Sequence, residues 1–232
     1  YSVEGADGTL WTACGNGVLR STDGGSSWKV TTGWEGTEVL KIAVDPRRPA
    51  TVFAATAYGP IATTDGGETW TFRRNGLPRW FAADVCIDRN RSERVLVASE
   101  TGVLMSIDGG HRWRPTSLKG KDIRTIVQDP SGDGRFWAGT EEDGIWASSD
   151  GGTTWHSANR GLAHKTVYCI VFDPEDPARM YAGTHDGGVY RSSDHGKSWA
   201  QCSRGLTNLV GHSLAVLPGE RPDRIGDGAT VG

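Results

Sequence analysis

One segment recurs five times along the 232-residue chain, at 17–28, 59–70, 102–113, 144–155 and 188–199. The first copy reads GVLRSTDGGSSW and the fourth GIWASSDGGTTW. Their final tryptophans step by 42, 43, 42 and 44 residues. A period of about 43 fits one unit of four short strands, stacked so that each unit buries its apolar face on its neighbours.

The unit can be read strand by strand. In the repeat that ends at Trp199, an apolar run over 167–172 is followed by Asp173-Pro174 and a polar turn, then 180–183, then 189–190, then a strand opened by Trp199. Short β-rich runs separated by Gly, Pro, Asp and Asn are strand and turn signals, and nothing between them carries a helical period. We label these strands A to D. The expected fold is all-β: a β-propeller of four-stranded antiparallel blades with five repeats.

The shared core, S-x-D-x-G-x-T-W, has a structural chemistry of its own. An Asp at a turn accepts hydrogen bonds from backbone N–H groups two residues on, and the glycine after it enters positive φ. The Trp then enters strand D as an apolar plug between sheets. Asp23, Asp65, Asp108, Asp150 and Asp194, with Trp28, Trp70, Trp113, Trp155 and Trp199, are therefore read as structural. One carboxylate per loop is too few for a hard cation, and the scattered Cys14, Cys86, Cys169 and Cys202 lack zinc spacing, so neither metal nor cofactor is expected. The cysteines read as small strand residues rather than as disulfides.

This core resembles the Asp-box of bacterial neuraminidase (BNR) repeats. The departures are Thr63 for Ser, Arg112 for Thr and His195 for the first Gly. Such boxes occur in sialidases, xyloglucan-hydrolysing endoglucanases, sortilin-type receptors and photosystem II assembly factors. The resemblance implies a propeller and leaves its activity open.

The ends bear on ring closure. Residues 9–13 align with strand B, residues 1–5 read as the tail of a strand A, and residues 213–217 read as another strand A. Either 213–217 pairs with 9–13 and closes a five-bladed ring, or the chain is a fragment of a larger ring. Blades are expected over 1–217, with 218–232 a tail or the start of a further blade. The absence of an initiator Met or a leader before Tyr1 favours an excerpt, whose open blade edges would promote association.

Composition excludes two partner classes. With 25 Lys and Arg against 28 Asp and Glu there is no global basic field for nucleic acid. No apolar run reaches the roughly 18 to 20 residues of a membrane span.

Function is then expected on loops. The D–A connections and B–C loops share one face of such an array, with the A–B turns and the boxes on the other. The B–C loops carry Asn16, Tyr58, Glu100, Glu141, Glu142, Asp143, His185 and Asp186. The D–A connections carry Trp34, Glu35, Glu38, Arg73, Arg74, Arg79, Trp80, Phe81, Lys119, Lys121 and Asp122, among others. Exposed aromatics beside charged groups suit a glycan or a protein segment. Between residues 73 and 124, basic residues outnumber acidic ones by 11 to 6, which suggests a docking sector for an acidic segment. On the inner strands, Lys41, Asp84, Thr125, Cys169 and Ser213 should ring the channel mouth, with Lys41 and Asp84 able to pair.

A glycosidase needs two carboxylates at a defined separation, and no spacing here selects them. A sialidase would also need an Arg-Ile-Pro segment, and the sequence offers only Arg224-Ile225-Gly226 in the tail. Tyr58 or Tyr168 with Glu100 or Glu141 are the pairs available. The expectation is a non-catalytic module binding a protein or glycan outside the cytoplasm, with a sialidase-like or xyloglucanase-like glycoside hydrolase as the alternative.

Overall fold

The computed structural model of the chain describes residues 3–6, 8–34 and 36–218. Residues 1, 2, 7, 35 and 219–232 lie outside the described residues, and with them Glu35, the Arg224-Ile225-Gly226 segment and all of the expected tail except Pro218. Twenty strands form five four-stranded antiparallel sheets, each ordered A-B-C-D. Blade 1 holds β1 (Val3–Ala6), β2 (Thr9–Cys14), β3 (Gly17–Ser21) and β4 (Lys29–Val30). Blade 2 holds β5 (Val39–Val44), β6 (Val52–Thr56), β7 (Ile61–Thr63) and β8 (Thr71–Phe72). In blade 3 the strands are β9 (Asp84–Ile87), β10 (Val95–Ser99), β11 (Gly102–Ser106) and β12 (Arg114–Lys119). Blade 4 comprises β13 (Ile123–Gln128), β14 (Phe136–Thr140), β15 (Ile145–Ser148) and β16 (His156–Ser157). Blade 5 comprises β17 (Val167–Phe172), β18 (Met180–Thr184), β19 (Val189–Ser192) and β20 (Ala200–Gln201). Lys119, expected on a connection, ends β12.

The core lies between blades. Four apolar clusters each draw on two successive blades, as where Phe53 and Ala62 of blade 2 meet Val97, Leu104 and Trp113 of blade 3. One position on strand B sets this packing. Trp11, Phe53, Leu96 and Trp137 each press on the second box glycine of the next blade. A methyl group at Gly67 would stand 2.9 Å from Trp11, and one at Gly110 would stand 2.7 Å from Phe53. Glycine is required there by contact as well as by its positive φ.

The boxes close differently from the expected two-residue span. In the first, Asp23 Oδ1 accepts the Ser27 N–H at 2.9 Å, four residues on, and Oδ2 accepts the Ser27 hydroxyl at 2.6 Å. The Ser21 hydroxyl donates to Asp23 and accepts the Gly25 N–H. The other four boxes repeat the backbone part of this network around Asp65, Asp108, Asp150 and Asp194. Arg112 lacks the hydroxyl, so residue 112 gives Asp108 only its N–H, beside the bond from the Ser106 hydroxyl. His195 takes the first glycine's place at φ 56.

Box tryptophans plug the seam with the preceding blade. Trp113 Nε1 donates to Arg73 O and Trp199 Nε1 to Ala158 O. Trp113, Trp155 and Trp199 are buried and Trp70 is half-buried, edge-on to Trp11. Trp28 departs from the expected plug: it is 39% exposed, because no preceding blade covers it among the described residues, and its Nε1 turns back to Gly25 O.

A second turn device follows strand A; its Asp is legible in the sequence, but its burial and its arginine partner are not. Strand A ends in a buried Asp in four blades: Asp45, Asp88, Asp129 and Asp173. Each accepts the N–H two residues on, and each is paired with an arginine, Arg48, Arg94, Arg135 or Arg179. Burial pushes the Asp45 carboxyl up, and the Ser92 hydroxyl, the Arg47 N–H and Arg48 more than reverse it.

Strand A is innermost. The inner strand opposite β2 is Val3–Ala6, so the closure that pairs 213–217 with 9–13 is not the one formed. Residues 212–214 instead line the central cavity beside blade 5, and Gly211 N–H bonds to Thr184 O as Ala82 N–H bonds to Thr56 O. The four cysteines are free thiols.

Candidate functional site

The face that carries the D–A connections and B–C loops holds two groups of side chains. Over blades 2 and 3 the hub is Arg74. Its guanidinium lies over the Phe72 ring at 3.5 Å and the Trp80 ring at 4.4 Å, and its Nε donates to Tyr58 O at 2.8 Å. A weakly hydrated planar cation between two rings gains cation–π attraction and is held in one orientation. Tyr58 donates its hydroxyl to Glu38 at 3.0 Å, and that carboxylate raises the phenol above its usual range. Three large rings stay open to solvent: Trp34 is 84% exposed, Trp80 57% and Tyr58 44%. Trp34 stands on the same D–A connection as Glu38. Phe81, by contrast, packs inward on the core between blades 3 and 4.

The other arginines expected here are engaged. Arg73 Nη1 meets His111 Nδ1 at 3.0 Å, and Arg79 pairs with Glu100 at 3.6 Å. Nor does the basic stretch form one surface. Arg89 and Arg91 sit in the A–B turn on the opposite face, Arg112 in a box and Arg114 on β12.

Over blades 4 and 5 the carboxylates are mostly paired. Glu141 meets Arg124 Nε at 2.5 Å, Asp143 meets Lys121 Nζ at 2.8 Å, and Asp186 meets His185 Nδ1 at 2.6 Å. Asp122 lies 3.3 Å from Arg124; burial raises its pKa, with Arg124 opposing and Glu141 adding to the rise. Glu142 is exposed. Tyr168 lies between two imidazoles, stacked on His212 at 4.7 Å and edge-on to His185 at 5.8 Å. Its phenol is raised by burial first and by Glu141 next.

At the centre, Lys41, Asp84, Thr125, Cys169 and Ser213 all line one cavity, as their spacing predicts. The Lys41–Asp84 contact does not form. Asp84 turns instead to blade 4, accepting the Thr125 hydroxyl and the Ile126 N–H at 3.0 Å each. Its carboxyl is pushed up by burial, partly opposed by the field of Lys41.

Comparison with known proteins agrees with the propeller fold. The profile of the family described as sortilin, neurotensin receptor 3, matches residues 143–214. Among solved structures, an ancestral GH74 enzyme superposes with TM-score 0.71 at 20% identity, covering 88% of this chain and 30% of its own. YCF48 bound to D1 peptide gives 0.56 at 15%, covering 83% and 78%. The chain has the β-propeller fold, with an Asp-box turn in each of the five described blades. The extracellular domain of a putative one-component system from B. thetaiotaomicron shares the propeller, with TM-score 0.69 at 18% identity over 90% of this chain and 29% of its own. This propeller thus spans under a third of the length of the GH74 enzyme and of that extracellular domain. Comparison with curated proteins gives no match.

Some members of the site escaped sequence reasoning. Phe72, the second ring around Arg74, sits on strand D, and His212 falls one residue before the collar position of its repeat. The repeat register was the signal for His212. For Phe72 there was none, because its contact depends on the path of the D–A connection.

Proposed function

We propose that this propeller is a non-catalytic module that holds a protein or glycan ligand on its loop face, outside the cytoplasm. The observation that carries the reading is the shelf made by a pair of open rings, Tyr58 and Trp80, held around the stacked Arg74, with Trp34 exposed on the preceding D–A connection. Flat exposed rings supply apolar area, and a fixed guanidinium supplies oriented donors. Large exposed aromatics are costly to keep solvated and are typical of binding surfaces. The similar proteins supply both binding and enzymatic precedents, one an extracellular domain and another bound to a peptide.

A glycoside hydrolase domain is the second reading, favoured by the GH74 likeness and by Tyr168 lying in the field of Glu141. Against it, Glu100, Glu141, Asp143 and Asp186 each face a basic partner, which leaves Asp122, raised by burial, and the exposed Glu142 as the carboxyls available to a hydrolase that needs one protonated and one free. Incubation with aryl sialosides and β-glucan oligosaccharides, followed for released product, separates the two. No turnover is expected; product formation abolished by Glu141→Gln would establish the hydrolase instead.

A further inference from the structure

The inner strands enter the central cavity in a common register. Lys41, Asp84, Thr125 and Cys169 stand opposite Ala55, Ala98, Gly139 and Gly183 on their strand-B neighbours. They form a polar collar at the loop-face end, joined by Ser213. Two residues deeper, Ala43, Cys86, Val127 and Val171, each half-buried and each lining the cavity, give blades 2 to 5 an apolar wall position, and Glu4 holds that register in blade 1. The cavity holds about 760 Å³. At about 3.3 Å rise per residue, Lys41 stands about 13 Å above the strand end at Asp45.

The collar is electrostatically lopsided. Asp84 is buried in the wall with its oxygens occupied by the Val85 N–H, the Ile126 N–H and the Thr125 hydroxyl. Lys41 makes no ion pair among the described residues, and its field reaches Asp84 and Cys169 without contact. An unpaired ammonium at the rim of an apolar shaft complements a ligand with one anionic end. The cavity has the volume of a ligand site, with Lys41 at one end, Arg89 and Gln128 toward the other and apolar side chains between them to take the body of a ligand.

We propose that the channel binds a monocarboxylic acid with an unbranched apolar body. The carboxylate sits at Lys41 beside the Ser213 hydroxyl, and the chain runs down between Ala43, Cys86, Val127 and Val171. This site is separate from the aromatic shelf, so it stands or falls independently of the loop-face reading.

Titration calorimetry of the 232-residue chain with octanoate and with 1-octanol tests it. The wild type should bind octanoate more tightly than octanol by about tenfold or more, the worth of one charge-assisted contact. Lys41→Met keeps the length and apolar stem of the side chain and should remove that gap while leaving octanol binding unchanged. Filling the shaft with Ala43→Phe should weaken both ligands. Absence of octanoate binding to the wild type, or equal affinity for octanoate and octanol, overturns the proposal; the wild-type comparison decides even if a variant fails to fold.

Discussion

At the residue scale, one carboxylate closes each box turn. Asp23 shows the cause most plainly: the Ser27 hydroxyl, the Ser27 N–H and the Ser21 hydroxyl hold its pKa down to about 2. For Asp194, burial pulls upward, but the Ser198 and Ser192 bonds outweigh it and the value again falls to about 2. Asp65, Asp108 and Asp150 are lowered as well. A carboxyl lowered on folding contributes stability above its unfolded pKa of 3.8 and loses it as pH falls through the folded value. Asp84 and Asp122 are raised and act in the opposite sense, favouring the folded state on protonation. Five lowered box carboxyls outnumber these two. The urea midpoint should therefore drop between about pH 4 and pH 2. A midpoint that climbs over this interval would show that the boxes do not carry the acid response.

At the scale of the element, a blade is stabilised chiefly by the blade before it. Trp113 shows this: it is 2% exposed, its Nε1 bonds to Arg73 O and its backbone N–H to Asn75 O, both in the connection leaving blade 2. Trp28 holds the same place in the repeat without that cover. Trp113→Ala should cost about 3–5 kcal/mol, as for other buried aromatics, and Trp28→Ala much less. Equal losses in equilibrium denaturation would contradict seam-based stability. The sequence made the blades, the boxes and the channel collar legible because each recurs at a fixed phase. It did not disclose Trp28's exposure, which depends on a neighbour rather than on the repeat. The burial of the turn aspartates and their arginine partners were not foreseen either, although Asp88 and Arg94, Asp129 and Arg135, and Asp173 and Arg179 share one six-residue spacing.

At the scale of the whole molecule, rigid blades carry loops of different chemistry around one axis. The loop face is divided into an aromatic shelf over blades 2 and 3 and a charge-paired region over blades 4 and 5. Candidate residues were legible as loop positions, since topology alone sends B–C and D–A segments to one face. Their partners were not: Tyr58, Arg74 and Trp80 meet because two connections converge, and the arginine-rich stretch disperses because it passes through turns on both faces. The central claim is that the shelf binds a ligand without converting it. Capture of the chain on paired glycan and peptide arrays, run beside a Trp34→Ala/Trp80→Ala variant, tests this most directly. The account predicts that the wild type is retained by members of one ligand class and that the double variant, equally folded, loses about tenfold or more in affinity. Retention of both proteins alike, or of neither, would contradict it.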